Sequence, residues 1–529
     1  MLGEMWSLRG RYKILHLTWF AFFLSFVVWF NLAPLATQVK ADFGLEEGQI
    51  RTLAICNVAL TVPARIIIGM LLDKYGPRIT YTLLLIYAAI PCLIFATAQN
   101  FSQLVISRLA LSIVGAGFVI GIRMVAEWFP PKEIGIAEGI YGGWGNFGSA
   151  AAAFTLPAIG GWLAFGAMTP AGVPLLNWRI CIAGTGIIAA LYGIFYYNNV
   201  KDHPPGKTYR KPKSARGIEV TTKRDFWFLM VMNAPLSGIL MVLAWRLKKV
   251  GLYDVNTMYI VWACLVGLYL FQAYNCWVVN KDLMTGKKQY PAKDRYNFSQ
   301  VAILELTYFV NFGSELAVVS MLPAFFQGTF TLTPAQAGMI ASSYAFMNLM
   351  SRPGGGLISD KLGSRKNTMA VLTLCMGIGY LMLGSVGSGW WLPGAIILTM
   401  TCSFFVQAGE GSTFAIVPLV KRRITGQVAG NVGAYGNVGA VAYLTIFSLL
   451  PEWLGGGKDP STAIIAQANT AFFQIMGIIA VTVAFLCWFI LKEPHGSFAE
   501  HHEGEAEGEE FHHESILETE PSVDSIARG

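Results

Sequence analysis

The sequence predicts an all-α protein that crosses a lipid bilayer many times, and its composition and the length of its apolar runs lead to that prediction. Of the 529 residues, 54% are hydrophobic and 13% are charged, against roughly 25% charged in a soluble domain. Apolar runs of about 20 residues recur from end to end, which is the length that crosses a hydrocarbon core of ~30 Å. The runs do not alternate polar and apolar residues as barrel strands do, so we expect helices.

Six spans are predicted in the first part of the chain and six in the last. The run Leu15–Ala36 is too long for a signal-peptide core and lacks a convincing cleavage site, so we expect it to remain as the first transmembrane helix. The first six spans lie near residues 14–36, 51–72, 79–98, 103–127, 137–164 and 179–199. The last six lie near residues 299–327, 336–357, 368–386, 391–419, 425–450 and 469–491.

Basic residues cluster in the short segments between these runs, which is the positive-inside pattern of membrane proteins. The formal net charge of +7 therefore does not indicate a nucleic-acid partner. We expect a multi-pass protein of the cell inner (plasma) membrane with both termini in the cytoplasm. The loops predicted inside carry Lys74, Arg78, Lys132, Lys361, Arg365, Lys366, Lys421, Arg422 and Arg423.

A basic segment separates the two six-helix parts. Within it, Phe226–Trp245 and Met258–Val279 are apolar enough to cross the membrane, for fourteen helices in total. Arg246, Lys248 and Lys249 would then lie outside, against the positive-inside bias, so an interfacial hairpin is the alternative. The predicted domains are an N-terminal six-helix bundle (1–200), a linker with two additional helices (201–296), a C-terminal six-helix bundle (297–492) and a tail (493–529).

The acidic, polar tail is predicted to be disordered and cytoplasmic. Its paired histidines, His501/His502 and His512/His513, have the composition of a metal-binding tract, but a solvated tail is the simpler interpretation. We predict no metal and no cofactor, and a regulatory partner at the tail is a further hypothesis.

The cysteines lie within or beside apolar spans with no CxxC pair, which indicates buried thiols and not disulfides. They are Cys56, Cys92, Cys181, Cys264, Cys276, Cys375, Cys402 and Cys487.

An internal repeat relates the two halves. ARIIIGMLLDKYGPR around span two matches SRPGGGLISDKLGSR around span eight, and GIAEGIYGGWGNFGSAA in span five matches GQVAGNVGAYGNVGAVA in span eleven. Two homologous halves related by an axis along the membrane normal follow from this register. At an offset of 287, Arg65, Gly69, Asp73, Gly76 and Arg78 correspond to Arg352, Gly356, Asp360, Gly363 and Arg365. At an offset of 291, Gly142, Gly145 and Asn146 correspond to Gly433, Gly436 and Asn437.

Arg65 and Arg352 each precede the aspartate at the cytoplasmic end of their span by eight residues, which is ~12 Å of helix. A guanidinium near the bilayer midplane costs several kcal/mol and must face the bundle interior and a counter-charge. The pseudo-symmetry places the two arginines opposite one another, and no equally placed pair of acids matches them. An anion is the natural partner, and pairing with carbonyls or a distant acid is the structural alternative.

The glycine ladders of spans five and eleven indicate close helix packing. Asn146 and Asn437 add a symmetric pair of buried carboxamides among those glycines. We expect them to contact a small ligand, with interhelical hydrogen bonding as the alternative.

The paired motifs GGWGNFGSA and AYGNVGAVA resemble the glycine-asparagine signatures of the nitrate/nitrite porter family, within the major facilitator superfamily. The G-x-L-x-D-K-x-G-x-R pattern after span two is also similar to that superfamily's cytoplasmic signature. The resemblance covers the chain except the central insert and the tail. It implies that the two arginines hold substrate and that Phe118, Tyr308 and Phe312 line the substrate plane. A planar, weakly hydrated anion such as nitrate or nitrite suits guanidinium forks and aromatic faces.

Three buried glutamates are candidates for proton coupling: Glu305 and Glu315 in span seven and Glu410 in span ten. Glu305, Tyr308, Phe312 and Glu315 share one helix face by their spacing. Coupling and structural pairing both remain open for these acids. Arg123 and Glu127, four residues apart in span four, are predicted to form a structural ion pair.

We expect an anion transporter, not an enzyme, in which the two halves rock about a central site. Asp73/Arg78 and Asp360/Arg365 are predicted to form part of the cytoplasmic gate. Proton-coupled nitrate uptake is the favoured function. The alternatives are a nitrate/nitrite antiporter, a carrier of another small carboxylate or oxyanion, and a membrane nitrate sensor without net flux.

Overall fold

The computed structural model describes residues 6–130, 133–165, 177–206, 216–291, 295–332, 334–421, 424–455 and 461–493, and the regular elements in these ranges are helical. The first half contains α1 Gly10–Trp29, α2 Ala36–Phe43, α3 Glu47–Ala59, α4 Thr61–Tyr75, α5 Pro77–Ala96, α6 Phe101–Ser112, α7 Gly117–Trp128, α8 Ile134–Trp162 and α9 Trp178–Asn199. The insert contains α10 Lys223–Lys249 and α11 Val255–Met284. The second half contains α12 Phe298–Phe330, α13 Pro334–Phe346, α14 Asn348–Lys361, α15 Arg365–Leu383, α16 Leu392–Val420, α17 Thr425–Trp453 and α18 Thr462–Ile490.

Each span predicted in the two halves coincides with one helix or with two successive helices. Among the described residues, 12 helical rods are long and apolar enough to cross a membrane, and α10 and α11 are two of them. The 12 do not include the glycine-rich α8 or the pair α13–α14, which occupy the positions of predicted spans five and eight. Lys132, Arg422, Arg423 and the tail from residue 494 onward, with its paired histidines, lie outside the described residues.

Span two was predicted as one helix, but it is interrupted at Leu60. Pro63 has no backbone N–H, and its ring would clash with the Ala59 carbonyl one turn earlier, so a continuous helix is disfavoured there. The Thr61 hydroxyl donates across the bundle to the Ser112 carbonyl oxygen at 2.5 Å. This contact anchors the interruption against span four.

Spans four and eight are interrupted as well. Ile113–Ala116 is a 3-10 turn between α6 and α7, and Met347 separates α13 from α14. Pro353 leaves the Leu349 carbonyl without its intrahelical donor, and the Trp144 indole N–H of the other half donates to that oxygen at 3.3 Å. Proline and glycine in the sequence mark these bends, but the hydrogen bonds that stabilise them come from distant helices.

The two halves contact each other along α4 and α17 and along α14 and α8. A Cβ added to Gly69 would lie 2.5 Å from the Gly426 carbonyl oxygen, and one added to Gly356 would collide with the Gly135 carbonyl. The same pair of positions therefore makes the same backbone contact on both sides of the pseudo-symmetric bundle. Glycine is required here because only a bare backbone allows this approach.

The first insert helix, α10, runs beside α17. The Tyr435 hydroxyl donates to the Met232 carbonyl oxygen at 2.5 Å, and Lys249 pairs with Glu452 at 2.8 Å. Both helices advance 17 residues between these contacts (232 to 249 and 435 to 452), or about 25 Å at 1.5 Å per residue. This parallel course favours the transmembrane alternative over an interfacial hairpin. Glu452 compensates one of the basic residues at the C-terminal end of α10.

Candidate functional site

Arg65 on α4 points into the interface between the halves and is fully buried. Its Nε donates to the Gly115 carbonyl oxygen at 3.2 Å, and its Nη1 donates to the Gly433 carbonyl oxygen at 2.5 Å. The 3-10 turn between α6 and α7 presents the first of these carbonyls. Nη2 is buried without a hydrogen-bond partner among the described residues, so the guanidinium keeps one donor edge for a ligand.

Arg352 on α14 is equally buried, but its surroundings differ. Its Nη1 lies 2.6 Å from a Glu410 carboxylate oxygen, and its Nη2 donates to the Tyr308 hydroxyl at 3.0 Å. The Tyr308 hydroxyl also lies beside the Arg65 guanidinium. The sequence pattern indicated no pair of acids placed like the two arginines. In the structure, the Glu410 carboxylate is the partner of Arg352.

The repeat explains this asymmetry. Ala116 and Gly117 correspond to Ala408 and Gly409 at an offset of 292, so Phe118 and Glu410 occupy equivalent positions in the two halves. A benzyl group stands in one half where the other has a carboxylate. Glu410 therefore gives Arg352 a contacting carboxylate, whereas Arg65 has carbonyl oxygens as its partners among the described residues.

Aromatic rings form the walls of the site. The Phe118 ring centroid lies 5.3 Å from the Arg65 Cζ and 5.0 Å from the Arg352 Cζ. Phe118 and Tyr308 are parallel at 5.8 Å, and Tyr308 and Phe312 are parallel at 5.0 Å. A planar anion between two faces needs roughly 7 Å, two van der Waals contacts of ~3.5 Å. In this conformation these rings contact each other, and an anion between them requires their separation.

The two asparagines have different surroundings despite their symmetry. With its amide oxygen facing the guanidinium, Asn437 accepts from Arg65 Nη1 at 3.1 Å and from Nε at 3.3 Å. Asn146 is 2% exposed, and neither its amide nitrogen nor its oxygen has a hydrogen-bond partner among the described residues. The structure thus uses one carboxamide to orient an arginine and leaves the other available to a ligand.

The glycine ladders make room for the site and also bring the helices together. A Cβ at Gly142 would lie 2.6 Å from Arg352 Nε, and a Cβ at Gly433 would lie 3.1 Å from Arg65 Cδ. A Cβ at Gly436 would lie 2.6 Å from the Tyr308 ring. Each arginine therefore crosses the bare backbone of the opposite half's ladder.

The three predicted glutamates do not form one group. Glu315 accepts from the Asn348 amide at 2.5 Å and from Gln407 at 3.4 Å, and it interacts with Glu410 on the Arg352 side of the site. Glu305 is buried near Asn431 of α17, three residues before Tyr308 on the same helix. The structure brings Glu315 and Glu410 together with the arginines and separates Glu305 from them.

Two charged residues buried inside the two six-helix halves were not identified from the sequence. Glu138 on α8 is 1% exposed, has no hydrogen-bond partner among the described residues and faces the charge of Arg352. Arg108 on α6 is 1% exposed on the opposite side of the bundle from the basic loops. An ionisable residue within an apolar span was the available signal for both.

Near the C-terminal ends of α4 and α14, each signature aspartate caps a helix of the other half. Asp73 accepts from the backbone N–H groups of Gly426 at 3.2 Å and Gln427 at 3.0 Å. Asp360 accepts from the Ile136 N–H at 2.9 Å. These positions are the N-termini of α17 and α8, where the helix dipole favours a carboxylate. The contacts hold the halves together on this side.

The two arginines that the sequence predicts for the gate have different contacts. Arg365 pairs with Asp360 at 2.8 Å, whereas Arg78 does not contact Asp73. Its Nε donates to the Tyr197 carbonyl oxygen at 2.8 Å, and its backbone N–H donates to Asp202 at 2.7 Å. Burial raises the pKa of Asp202.

The cation beside Asp73 is Arg123. Its Nε lies 3.8 Å from an Asp73 oxygen. Arg123 also forms the predicted ion pair with Glu127, at 2.8 Å. The two halves therefore use different arginines beside equivalent aspartates.

These features define a membrane carrier built of two related six-helix halves around a buried cationic site. The sequence profile of the Major Facilitator Superfamily matches residues 18–282 and 304–521. Among solved structures, the proton:xylose symporter XylE aligns over 93% of this chain and 99% of its own with a TM-score of 0.57 and 16% identity, which shows the fold.

Similar sequences define the family more closely. The chain is 70% identical over 523 residues to the nitrate/nitrite transporter NrtP of Picosynechococcus, covering 96% of this chain and 98% of that protein. It is 55% identical to NrtP of Nostoc punctiforme, covering 96% and 97%. A probable nitrate/nitrite antiporter NarK1 of Thermus thermophilus is 24% identical, covering 91% and 92%. The chain therefore belongs to the nitrate/nitrite porter family of the major facilitator superfamily.

Proposed function

We propose that the protein is a secondary transporter that moves nitrate, nitrite or both across the plasma membrane by alternating access. The observation that carries this proposal is the single uncompensated guanidinium at the centre of the bundle. Arg352 has a carboxylate partner in Glu410, whereas Arg65 bonds only to neutral oxygens. A buried guanidinium without a contacting carboxylate favours an anion over a neutral solute, because the anion compensates its charge in a low-dielectric interior.

The donors and walls of the site suit a small planar anion. The free Arg65 Nη2 and the unpartnered Asn146 amide supply N–H donors, and the Phe118, Tyr308 and Phe312 rings supply flat, weakly polar faces. A weakly hydrated oxyanion loses little on leaving water for such walls. Phosphate or sulfate would need more donors than these residues offer. The nitrate/nitrite transporters among the relatives support the same substrate class.

Alternating access follows from the contacts between the halves. The cytoplasmic side is closed by Asp73 on the N-terminus of α17 and by Asp360 on the N-terminus of α8. Opening this side requires both caps to separate as the halves rock. In the orientation we propose, these caps and both termini face the cytoplasm. The regulatory partner of the acidic tail remains a hypothesis about residues outside the described ranges.

Proton coupling is the finer part of the proposal. Moving a monoanion inward against an inside-negative potential costs ~2.3 kcal/mol per 100 mV. Symport with two protons reverses the sign of the moved charge, so the potential then drives uptake. Glu315 and Glu410 lie beside Arg352, where a proton and an anion can influence each other's binding. Exchange for internal nitrite is the alternative and needs no titrating residue.

Uptake of isotope-labelled nitrate into proteoliposomes tests the function. Saturable uptake that unlabelled nitrite inhibits is expected of a nitrate/nitrite transporter. A sensor would bind nitrate without accumulating it, and a carrier of another anion would do neither. Either of those results would overturn the proposal.

A further inference from the structure

A second buried arginine site lies on the outer side of the bundle, between the halves. Arg108 is the eighth residue of α6, about 10 Å from the outer end of that helix at Phe101. Gly115, whose carbonyl holds Arg65, follows seven residues later, again about 10 Å along the same rod. Arg108 therefore lies midway between the outer surface and the central arginine.

A cavity of about 200 Å³ opens beside this guanidinium. Its walls come from both halves, with Phe30, Ala54 and Asn57 on one side and Leu316, Ser320 and Leu444 on the other. One buried water needs only ~10–15 Å³ by the same measure, so a small anion fits with part of its hydration. The walls are mainly apolar, and Arg108 supplies the charge.

The charge of Arg108 is only partly compensated. Its Nη1 donates to the Asn31 amide oxygen at 2.9 Å, and its Nη2 donates to the Trp29 carbonyl oxygen at 2.6 Å. Trp29 is the last residue of α1, and a helix C-terminus carries about −0.5 of an elementary charge. Among the described residues no carboxylate pairs with Arg108, so about half a positive charge remains.

The donor geometry leaves room for a ligand. The Arg108 Nε is buried and has no hydrogen-bond partner among the described residues. Asn57, which is 7% exposed, lines the same cavity, and its amide oxygen has no hydrogen-bond partner among the described residues. A purely structural cap of α1 accounts for the two terminal nitrogens but leaves the Nε and the cavity unexplained.

We propose that Arg108 and this cavity form an outer binding site for one small, weakly hydrated monoanion, occupied before the anion reaches the central arginines. The identity of the anion as nitrate or nitrite rests on the proposed function. The site concentrates anions within about 10–15 Å of Arg65 and repels cations from the approach. Occupancy of both sites at once gives each chain two anion-binding positions.

Equilibrium binding of labelled nitrate to the purified full-length protein tests the site. Two nitrates per wild-type chain are expected at saturation, and one in the Arg65→Gln/Arg352→Gln variant. Adding Arg108→Gln to that variant should remove the remaining one, and Arg108→Gln alone should reduce two to one. Ala54→Met, which fills the cavity and leaves the guanidinium in place, should also reduce two to one.

Arg179→Gln is the matched control. Arg179 also donates to carbonyl oxygens at an outer helix end, those of Ala96 and Ala98 at 2.7 and 3.0 Å, but it does not line the cavity. Its loss should leave the stoichiometry at two. Arg108→Lys keeps the charge and should retain the outer nitrate with weaker affinity. If Arg108 only caps α1, substituting it should not change the number of nitrates bound per chain. One nitrate in wild type and none after loss of the central arginines would overturn the outer site while leaving the transporter proposal intact. No nitrate bound to wild type would contradict both.

Discussion

Glu410 forms an ion pair of 2.6 Å with Arg352, and Phe118 occupies the equivalent position in the other half. The carboxylate therefore contacts one of the two guanidiniums, and Arg65 is left without a contacting acid among the described residues. The asymmetry arises at a single pair of positions in an otherwise symmetric repeat, so it can be changed by single substitutions.

Glu410→Gln should tighten nitrate binding and slow transport. Removing the carboxylate takes away the ion-pair partner of Arg352, and the anion then becomes a partner of both arginines. We expect the nitrate Kd to fall at least about tenfold, since 1.4 kcal/mol suffices for that change, while turnover falls because release becomes harder. Titration calorimetry measures the first and vesicle uptake the second. Glu452→Gln removes a surface ion pair with Lys249 and is the control. An unchanged Kd in Glu410→Gln would show that this carboxylate does not set the charge of the site.

Arg65→Lys and Arg352→Lys should each reduce uptake about tenfold or more. An ammonium is a point charge and cannot reproduce the planar donor fork that holds Gly433, Asn437 and an anion edge together. Initial rates of labelled nitrate uptake, normalised to protein in the vesicles, measure the loss. Normal uptake by either folded variant would refute the central site.

Substituting Glu315 and Glu305 separately distinguishes proton symport from exchange for nitrite. Nitrate uptake into empty vesicles should respond to an imposed proton gradient, acidic outside, and Glu315→Gln should remove that response because this acid lies beside the arginine network. Glu305→Gln, whose carboxyl faces Asn431 instead, should keep it. Uptake that requires preloaded nitrite and ignores the gradient would make symport wrong and the glutamates structural.

Gly142→Ala should abolish most transport without preventing folding. The added Cβ lies 2.6 Å from Arg352 Nε, so the guanidinium must leave its position beside Glu410. Gly184→Ala, on α9, meets no atom within 4 Å and is the matched control. It should leave uptake unchanged and raise stability by up to ~1 kcal/mol, because alanine is the better helix former. Equal uptake by both variants would show that the ladder serves packing alone.

The course of the insert can be tested with impermeant thiol reagents. Single cysteines at the exposed Lys248 and Lys287, in a background without the native cysteines, should be labelled from opposite sides of the membrane if α10 and α11 span it. Intact right-side-out vesicles should expose Lys248→Cys and protect Lys287→Cys until they are permeabilised. Labelling of both positions from the cytoplasmic side alone would restore the interfacial hairpin.

The positions of the helices were predictable because lipid demands apolar runs of fixed length. Span three, expected near residues 79–98, is α5 Pro77–Ala96, and the largest difference at a helix start is at α18, which begins at Thr462, seven residues before the predicted start of span twelve. The interruptions at Leu60 and Met347 were not predicted. The length of an apolar run does not show where a backbone hydrogen bond within the helix is replaced by a hydrogen bond from another helix. Arg108 and Glu138 were missed because neither has a counterpart in the repeat, which directed attention to symmetric residues.

The sequence by itself determined the class of protein, the two related halves and the pair of buried arginines, because the cost of charge in lipid restricts where such residues can lie. Only the tertiary structure decided how the charges are matched. Glu410 lies beside Arg352 and not Arg65, Asn437 orients an arginine whereas Asn146 does not, and Asp73 meets Arg123 instead of Arg78. Burial requires each charge to find a partner, but distance and direction across packed helices select which partner it finds.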